Sequence, residues 1–336
     1  MRVPVLARPR IDPYILALLA MVGLAALFPA RGVGAVVFGH ATDVAIAVLF
    51  FLYGVRLSPR TALAGARHWR LHLMVFLSTF ALFPALALVA RLLVPSVLSP
   101  GLYVGVVFLC ALPSTIQSSI AFTSIARGNV AAAICAASFS NLIGIVVTPL
   151  LVSVMLSGQG PGFSLDSVRD ILLQLMAPFV AGQLLRPWFG GFVERHRRVL
   201  SPVDRGSILL VVYTAFSEGV AAGVWHQLSL PRLGALVLVD AVLLAVVLAV
   251  TYLASSWLRF DRADRITIVF CGSKKSLASG LPMASVLFSS GPVALAVLPL
   301  MLFHQLQLIV CAWLAQRWGR QATAVEQPAE SQSVVG

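Results

Sequence analysis

The sequence is poor in charged residues and almost devoid of lysine. Only 11% of its 336 residues are charged, and 22 of the 24 basic residues are arginine; the two lysines are adjacent, in the stretch CGSKKSLASG at residues 271–280. Soluble domains carry about 25% charged residues, so a water-soluble globular class is excluded. Hydrophobic residues make up 59% of the chain, and several apolar runs approach or exceed the roughly 20 residues that a helix needs to cross a bilayer. We therefore expect an all-α polytopic membrane protein.

Cysteine is also scarce. Cys110, Cys135, Cys271 and Cys311 all lie within apolar runs, and no CxxC pair occurs. This pattern predicts free buried thiols rather than a disulfide framework or a metal site. The chain also lacks the GxxxxGK[ST] sequence of a fused ATPase and the HExxH and GxSxG signatures of enzymes. We expect no enzyme activity and no organic cofactor.

Arginine predicts how the hydrophobic spans are oriented. With the N-terminus inside, 18 arginines fall on the cytoplasmic side, against Arg31, Arg91, Arg169 and Arg232 on the other side. This bias predicts an even number of spans and both termini in the cytoplasm. Arginines in the loops between spans also explain the net charge of +12. The expected partner is therefore the lipid bilayer and not nucleic acid. The ten predicted spans are residues 13–30, 37–57, 71–93, 102–125, 130–156, 168–187, 206–224, 233–258, 266–288 and 292–314.

A glycine-rich segment divides the ten spans into two groups of five. Residues 158–167 are interpreted as an extracytoplasmic linker between a first repeat, residues 1–157, and a second repeat, residues 168–316, with a disordered cytoplasmic tail at 317–336. Because five is odd, the second group starts on the opposite side of the membrane, so the repeat would be inverted. The fourth span reads VVFLC before the polar ALPST, and the ninth reads TIVFC before the polar GSKKS.

These matching positions predict two broken helices. Pro113 removes a helical donor from the fourth span, and Gly272 relaxes the backbone of the ninth. Paired discontinuous helices are the best sequence pointer to a transporter's binding site. The candidate site residues near the breaks share hydroxyl or amide oxygens, which suit hard cations and polar solutes, although each could equally serve in helix packing: Ser114, Thr115, Gln117, Ser118, Ser119, Ser273 and Ser276.

The lysine pair is harder to explain by packing. A lysine at mid-membrane costs at least about 2.5–3.5 kcal/mol. Neighbouring positions on a helix point about 100° apart, so one partner cannot relieve both Lys274 and Lys275. The pair also lies eight to ten residues from Arg265, too deep to reach the interface easily. We therefore assign both lysines to the functional site.

The stretches STIQSSIAFTSIARGN, residues 114–129, and CGSKKSLASGLPMA, residues 271–284, resemble the bile acid:sodium symporter superfamily, in its SBF-like bacterial branch. The resemblance covers nearly the whole chain. It implies ten transmembrane helices in two inverted five-helix repeats, a panel and a core domain, and broken helices 4 and 9 that cross near the substrate cavity. It also implies a multi-pass protein of the bacterial cytoplasmic membrane.

The sodium-binding pattern of that family is only partly present. The resemblance places the family's serine ligand on Ser119, but its asparagine falls on Ile120 and its glutamine on Lys274. Its bridging glutamate falls near Phe270, and two hydroxyl ligands fall on alanines. A residual sodium site at Ser119 and Gln117 is one possibility, with Ser118, Ser138, Ser140 or Asn141 compensating in a shifted geometry. The alternative is that Lys274 or Lys275 replaces a sodium ion, or carries a proton, since burial disfavours the charged form of lysine.

The sequence thus predicts a secondary transporter of an anionic organic solute, coupled to sodium or to protons. Of the acidic residues in the spans, Asp43, Glu218 and Asp240, we select Glu218 as the counter-charge or substrate-side group, unless it merely lies at the outer interface. His304 lines the cavity or serves packing. The alternative function is a non-transporting membrane regulator or a lysine Schiff-base protein.

Overall fold

A computed structural model describes residues 13–56, 68–156, 165–221, 223, 229–288 and 293–332. This part of the chain is helical and contains no strand. The helices are α1 Pro13–Leu27, α2 Val33–Arg56, α3 Trp69–Leu77, α4 Phe83–Ala90, α5 Pro100–Ala111, α6 Gln117–Ile125, α7 Val130–Leu156, α8 Leu165–Arg195, α9 Arg197–Ala221, α10 Leu230–Trp257, α11 Arg262–Gly272, α12 Leu277–Leu287 and α13 Val293–Gln332. A π-helical turn, Ser78–Leu82, joins α3 to α4, and a 3-10 turn, Arg91–Leu93, follows α4.

Several helical segments are long and apolar enough to cross a membrane. Five meet both criteria: Val33–Arg56, Trp69–Leu93, Val130–Leu156, Leu230–Trp257 and Val293–Gln321. Large apolar side chains such as Val154, Leu238 and Leu253 are exposed on their outer faces. A helix that is apolar on its exposed face suits a lipid environment rather than water. The all-helical, multi-pass membrane class is therefore confirmed, while the arrangement of ten spans as inverted repeats stays a prediction.

The most deeply buried helix is α5. Every residue from Val106 to Leu112 is completely inaccessible. Helix α13 packs along α5, and α7 and α4 cover other sides of it. Elsewhere in the described chain, α2 packs against α8 and α1 against α9. The end of α5 thus lies inside the protein, where its polar backbone groups need protein partners.

Two helices are interrupted at the positions that the sequence predicted. Helix α5 ends at Ala111 and α6 begins at Gln117, so that residues 112–116 leave the helix. Helix α11 ends at Gly272 and α12 begins at Leu277, which leaves the lysine pair in an unwound stretch. The two stretches meet directly, because the Ser276 N–H donates to the Pro113 carbonyl at 2.9 Å.

The predicted linker and tail adjoin long helices. Helix α8 begins at Leu165, within the predicted linker at residues 158–167, and residues 158–164 lie outside the described residues. Helix α13 extends from Val293 to Gln332, past the predicted start of the tail at residue 317. The division into two repeats, a linker and a disordered tail stays a prediction. All four cysteines are free and buried, as predicted.

Candidate functional site

The ammonium of Lys275 is bound by backbone carbonyls. Its Nζ donates to the oxygens of Thr79 at 2.9 Å, Cys110 at 2.8 Å and Leu112 at 2.7 Å. The Nζ atom also lies 4.1 Å from the centre of the Phe83 ring, and the side chain is fully buried. An ammonium has three donors, and all three are used. Within the described ranges, Lys275 is therefore satisfied without an ion pair to a carboxylate.

The Thr79 carbonyl is available because of the π turn and the proline after it. In an α-helix the Thr79 oxygen would accept from the Phe83 N–H, but here that N–H donates to the Ser78 oxygen. The next nitrogen along the chain belongs to Pro84, which has no hydrogen to donate. The turn thus leaves one buried acceptor unpaired, and Lys275 supplies its donor.

The other two acceptors belong to the C-terminal end of α5. The last carbonyls of a helix have no intrahelical donors, and they carry a partial negative charge that favours a cation. Thr148 Oγ1 on α7 donates to the Ala111 oxygen at 2.8 Å. Lys275 takes the carbonyls on either side, those of Cys110 and Leu112. The Lys275 ammonium, a cation tethered to the protein, therefore binds the C-terminal end of α5.

Lys274 has a different environment. Its Nζ donates to the Ser118 carbonyl at 2.8 Å and lies 3.9 Å from the centre of the Phe122 ring and 5.3 Å from that of Phe270. The faces of aromatic rings attract cations. The resemblance places the family's sodium-bridging glutamate near Phe270. Two aromatic rings thus lie beside the Lys274 ammonium in this region.

Polar side chains hold the two unwound stretches together. Ser114 Oγ donates to the Cys271 carbonyl at 2.6 Å. Asn141 on α7 bridges the two broken helices, since its amide donates to the Ser114 carbonyl at 2.7 Å and its Oδ1 accepts from Ser279 Oγ at 2.7 Å. Ser276 caps α12 by accepting from the Ser279 N–H at 3.2 Å. The predicted residues Ser114, Asn141 and Ser276 thus lie in one network.

Hydroxyl groups cluster at the start of α6. Thr115 Oγ1 lies 2.7 Å from Ser118 Oγ and 3.1 Å from Ser119 Oγ. Ser119 is buried and donates to the Phe270 carbonyl at 3.1 Å, whereas Gln117 is exposed. Residues two apart on a helix do not face each other, so the two side chains have different environments. A sodium site at Ser119 and Gln117 stays a prediction.

Gln307 and His304 support the lysine stretch from α13. The Gln307 amide accepts from the Lys275 N–H at 2.8 Å and donates to the Lys275 carbonyl at 2.9 Å. The same amide nitrogen lies 2.8 Å from His304 Nδ1. Because the NH₂ group is a donor, Nδ1 acts as the acceptor, which places the proton of a neutral imidazole on Nε2. His304 thus orients Gln307, and Gln307 replaces the backbone partners that Lys275 lost on leaving the helix.

Gly272 and Ser273 lie at the end of α11. The Gly272 carbonyl accepts from Ser78 Oγ at 2.9 Å, and a Cβ on Gly272 would lie only 3.0 Å from that oxygen and 3.3 Å from Thr251 Cγ2. The absence of a side chain therefore lets the π turn approach the break. The Ser273 N–H still donates to the Val269 carbonyl at 3.1 Å, and its side chain is fully buried.

Glu218 is not part of this constellation. It lies on α9 with an exposed side chain, and it interacts electrostatically with Asp43. Across the described ranges, the ion pairs are Arg56 with Asp204 and His68 with Asp264, so neither lysine has a carboxylate partner. Backbone carbonyls and aromatic rings contact the two ammonium groups instead, and the role of Glu218 as a counter-charge or substrate-side group stays a prediction.

Sequence reasoning missed the contribution of the third span. Ser78 and Thr79 both bind the ninth-span stretch from the π turn. The available signal was a serine–threonine pair in an apolar run with Pro84 shortly after it, because proline deprives an upstream carbonyl of its donor. Ser279 was also missed, although its position three residues after Ser276 is typical of a helix cap.

Comparison with known proteins identifies the family. The profile of the SBF-like CPA transporter family matches residues 12–320. An uncharacterized protein of Pseudomonas aeruginosa is 53% identical over 319 residues, or 94% of this chain and 96% of its own. YfeH of Escherichia coli K12, named as a candidate symporter, is 51% identical over 96% of this chain and 97% of its own. Sodium/bile acid cotransporter 7 of Mus musculus is 28% identical over 91% of this chain and 92% of its own. The chain therefore belongs to the SBF-like CPA transporter family, a family of membrane transporters.

Proposed function

We propose that this membrane transporter is a secondary active carrier of an organic anion, working by alternating access. In this proposal the ten predicted spans form two inverted five-helix repeats in a bacterial inner membrane, with both termini in the cytoplasm. The broken helices meet at the solute cavity, and one group of helices rocks against the other around them. Family membership and the contact between the breaks at Ser276 and Pro113 support this arrangement.

The binding of the Lys275 ammonium by three carbonyls carries the proposal. In transporters with discontinuous helices, unwound carbonyls and helix C-terminal ends coordinate the coupling ion. Here the same kind of ligand set, from Thr79, Cys110 and Leu112, receives a cation that belongs to the protein. A tethered cation keeps the freed carbonyls satisfied through the transport cycle without an ion from solution at that position.

The proposed negative charge of the solute follows from electrostatics at the breaks. Helices α6 and α12 both begin there, and helix N-termini carry partial positive charge. Lys274 makes one hydrogen bond with the described residues, so its other donors suit a carboxylate or sulfonate when the site opens. The name of the mouse relative includes bile acid, an organic anion, but the proposal extends to organic carboxylates and sulfonates as a class.

The coupling ion is proposed to be sodium, as the name of the mouse relative suggests, or a proton carried through the lysine site. The test is the melting temperature of purified protein in sodium, potassium or choline at constant ionic strength. A ligand of the folded state stabilises it by about 2.7 kcal/mol at a hundred times its Kd. A rise specific to sodium supports sodium coupling. Equal melting in all three cations, with a pH-dependent shift that Lys274→Gln abolishes, supports the lysine route instead.

Transport itself is tested in proteoliposomes. We expect uptake of at least one member of a panel of labelled organic carboxylates and sulfonates, a conjugated bile acid included, above that of protein-free vesicles. External unlabelled solute should exchange with the internal pool, and Lys274→Gln should lower uptake at least tenfold. Failure of every anion under inward sodium and proton gradients, together with uptake of a cationic solute, would contradict the proposal.

The Schiff-base alternative has less support. An imine nitrogen carries at most one hydrogen, so Lys275 could not form an imine and keep its three carbonyl bonds. Lys274 makes one such bond and is the position where an imine costs less. Borohydride-dependent labelling of Lys274 by a carbonyl compound would favour this alternative over transport.

A further inference from the structure

A buried carboxyl group lies outside the site described above. Asp240 is near the middle of α10, within the apolar sequence ALVLVDAVLLAV, residues 235–246. Its side chain is completely inaccessible, and neither carboxyl oxygen has a hydrogen-bond partner in the part of the chain that the structure describes. It also makes no ion pair there. No other fully buried carboxyl group in the described ranges is in this condition.

An ionised carboxylate is not stable in such surroundings. Moving a charge from water into an apolar interior is so costly that an unpaired group becomes neutral instead. An aspartate at the centre of a membrane helix is costly to insert even on the most lenient scales. The conformation described here therefore requires the protonated acid. A residue that only filled space at this position would be better served by an apolar side chain, since intramembrane ionisable residues typically mark ion and proton pathways.

We propose that Asp240 is a proton-binding site of the transport cycle, protonated in this conformation and deprotonated when α10 is opened to water. The inference deepens the proposed function by naming the bound ion and its residue, and it rests on that function for the second conformation. It differs from the lysine route because the proton is held by a carboxyl group on a different helix.

The neighbours of α10 show how the proton could affect the broken helices. Helix α10 packs against α4, the π turn, α11 and α13. The π turn and α4 contain no titratable side chain; α11 contributes Asp264 and Cys271 with the arginines at its start, and α13 contributes His304, Cys311 and the arginines beyond them. None of these elements gives Asp240 a hydrogen bond or an ion pair in the described ranges.

Helix α10 packs against elements that form the lysine site. It contacts the π turn, whose Thr79 carbonyl binds the Lys275 ammonium, and α11, which ends at the second break. A deprotonated Asp240 would need contact with water, because an unpaired charge is costly in an apolar interior. Loss of the proton would thus oppose the packing of α10 against the π turn and the second break, which links protonation to the conformational change.

The test uses infrared spectroscopy of the intact protein in lipid and needs no solute. We expect a carbonyl stretching band of a protonated carboxylic acid, shifted by labelling aspartate with carbon-13 at the side chain, and lost in alkaline medium with reversible recovery. The band should be absent in Asp240→Asn and retained in Asp43→Asn, a matched control in which the same change is made at an exposed aspartate.

Other results would overturn the inference. A band missing in the labelled natural protein would mean that Asp240 is ionised, and a band unchanged at every pH where the protein stays folded would mean a permanently neutral structural acid. The labelling experiment keeps the test valid if Asp240→Asn does not fold. Because no solute is used, these failures are distinguishable from failure of the anion-uptake assay, which concerns the proposed function alone.

Discussion

At the residue scale, the two lysines differ in how completely their charge is satisfied. Hydrogen bonds to a charged group contribute about 1.5–3 kcal/mol each, so the three bonds of Lys275 together exceed the roughly 2.5–3.5 kcal/mol cost of placing a lysine at mid-membrane. Lys274 has one such bond and two aromatic rings, whose attraction is about 2 kcal/mol when desolvated. Lys275 therefore has the character of a permanent structural cation, and Lys274 is closer to balance.

The first prediction concerns the loss of either ammonium. Lys275→Met leaves three buried carbonyls without a donor, at about 1–3 kcal/mol each, so we expect a large fall in melting temperature. Lys274→Met is the matched control, because the same side-chain atoms are replaced but only one carbonyl loses its hydrogen-bond donor. Tryptophan fluorescence during thermal unfolding in detergent measures both. If Lys275→Met is as stable as the natural protein or more stable, the free-energy cost of burying the ammonium exceeds the contribution of its three hydrogen bonds.

A second prediction concerns the amide that supports the lysine stretch. Gln307→Leu removes the partners of both the Lys275 N–H and its carbonyl, and we expect a loss of about 2 kcal/mol or more of unfolding free energy. Gln305→Leu, two residues away on the same helix, should change stability by less than about 0.5 kcal/mol. Thermal unfolding of both variants checks this. If the two variants have the same melting temperature, the hydrogen bonds between the Gln307 amide and Lys275 do not contribute to stability.

At the scale of helices, the site depends on three irregular segments, which are the two breaks and one π turn. The breaks at residues 112–116 and 273–276 free carbonyls, and the π turn at Ser78–Leu82 supplies a third acceptor together with the Ser78 hydroxyl. Single-turn π insertions in α-helices are frequent at functional sites. Here the π turn frees the Thr79 carbonyl to face residues 273–276 of the ninth span. The third span therefore contributes to the site without being broken.

Helix packing away from the site also yields a prediction. A Cβ on Gly54 of α2 would lie 2.1 Å from the Phe179 carbonyl oxygen of α8, and a Cβ on Gly182 would lie 2.1 Å from the Phe51 oxygen. Small residues let membrane helices approach this closely. Gly54→Ala should therefore cost about 1–3 kcal/mol by overpacking.

The matched control lies on the same helix. A Cβ on Gly39 would meet nothing within 4 Å, so Gly39→Ala should be neutral or stabilise by up to about 1 kcal/mol. The measurement is the melting temperature together with the yield of monodisperse protein in detergent. Similar behaviour of the two alanine variants would refute the close contact between α2 and α8.

At the scale of the whole molecule, the arginine distribution predicts the topology. With 18 of 22 arginines assigned to one side, both termini should lie in the cytoplasm. A green fluorescent protein fused to either terminus should therefore be fluorescent, and alkaline phosphatase fused to the C-terminus should be inactive. Active phosphatase at the C-terminus together with a fluorescent N-terminal fusion would mean an odd number of spans and would remove the basis for the inverted repeat.

Much of the site follows from local sequence. Pro113 removes a backbone donor and Gly272 relaxes the backbone, and both effects act within about four residues, so both breaks were predictable. The cap at Ser276 is equally local. The exposure of Gln117 and Glu218 was not predictable, because it depends on which face of a helix its neighbours cover.

The sequence by itself determined the membrane class, the family resemblance and the positions of the breaks, since each follows from composition, from motifs or from effects between near neighbours along the chain. Only the tertiary structure decided which groups bind the lysines. Thr79 is 196 residues from Lys275 along the chain, and Cys110 is 165 residues away. The physical reason is that a helix break and the lysine or aspartate in an apolar span are local features of the sequence. The groups that contact them are set by how separate helices pack.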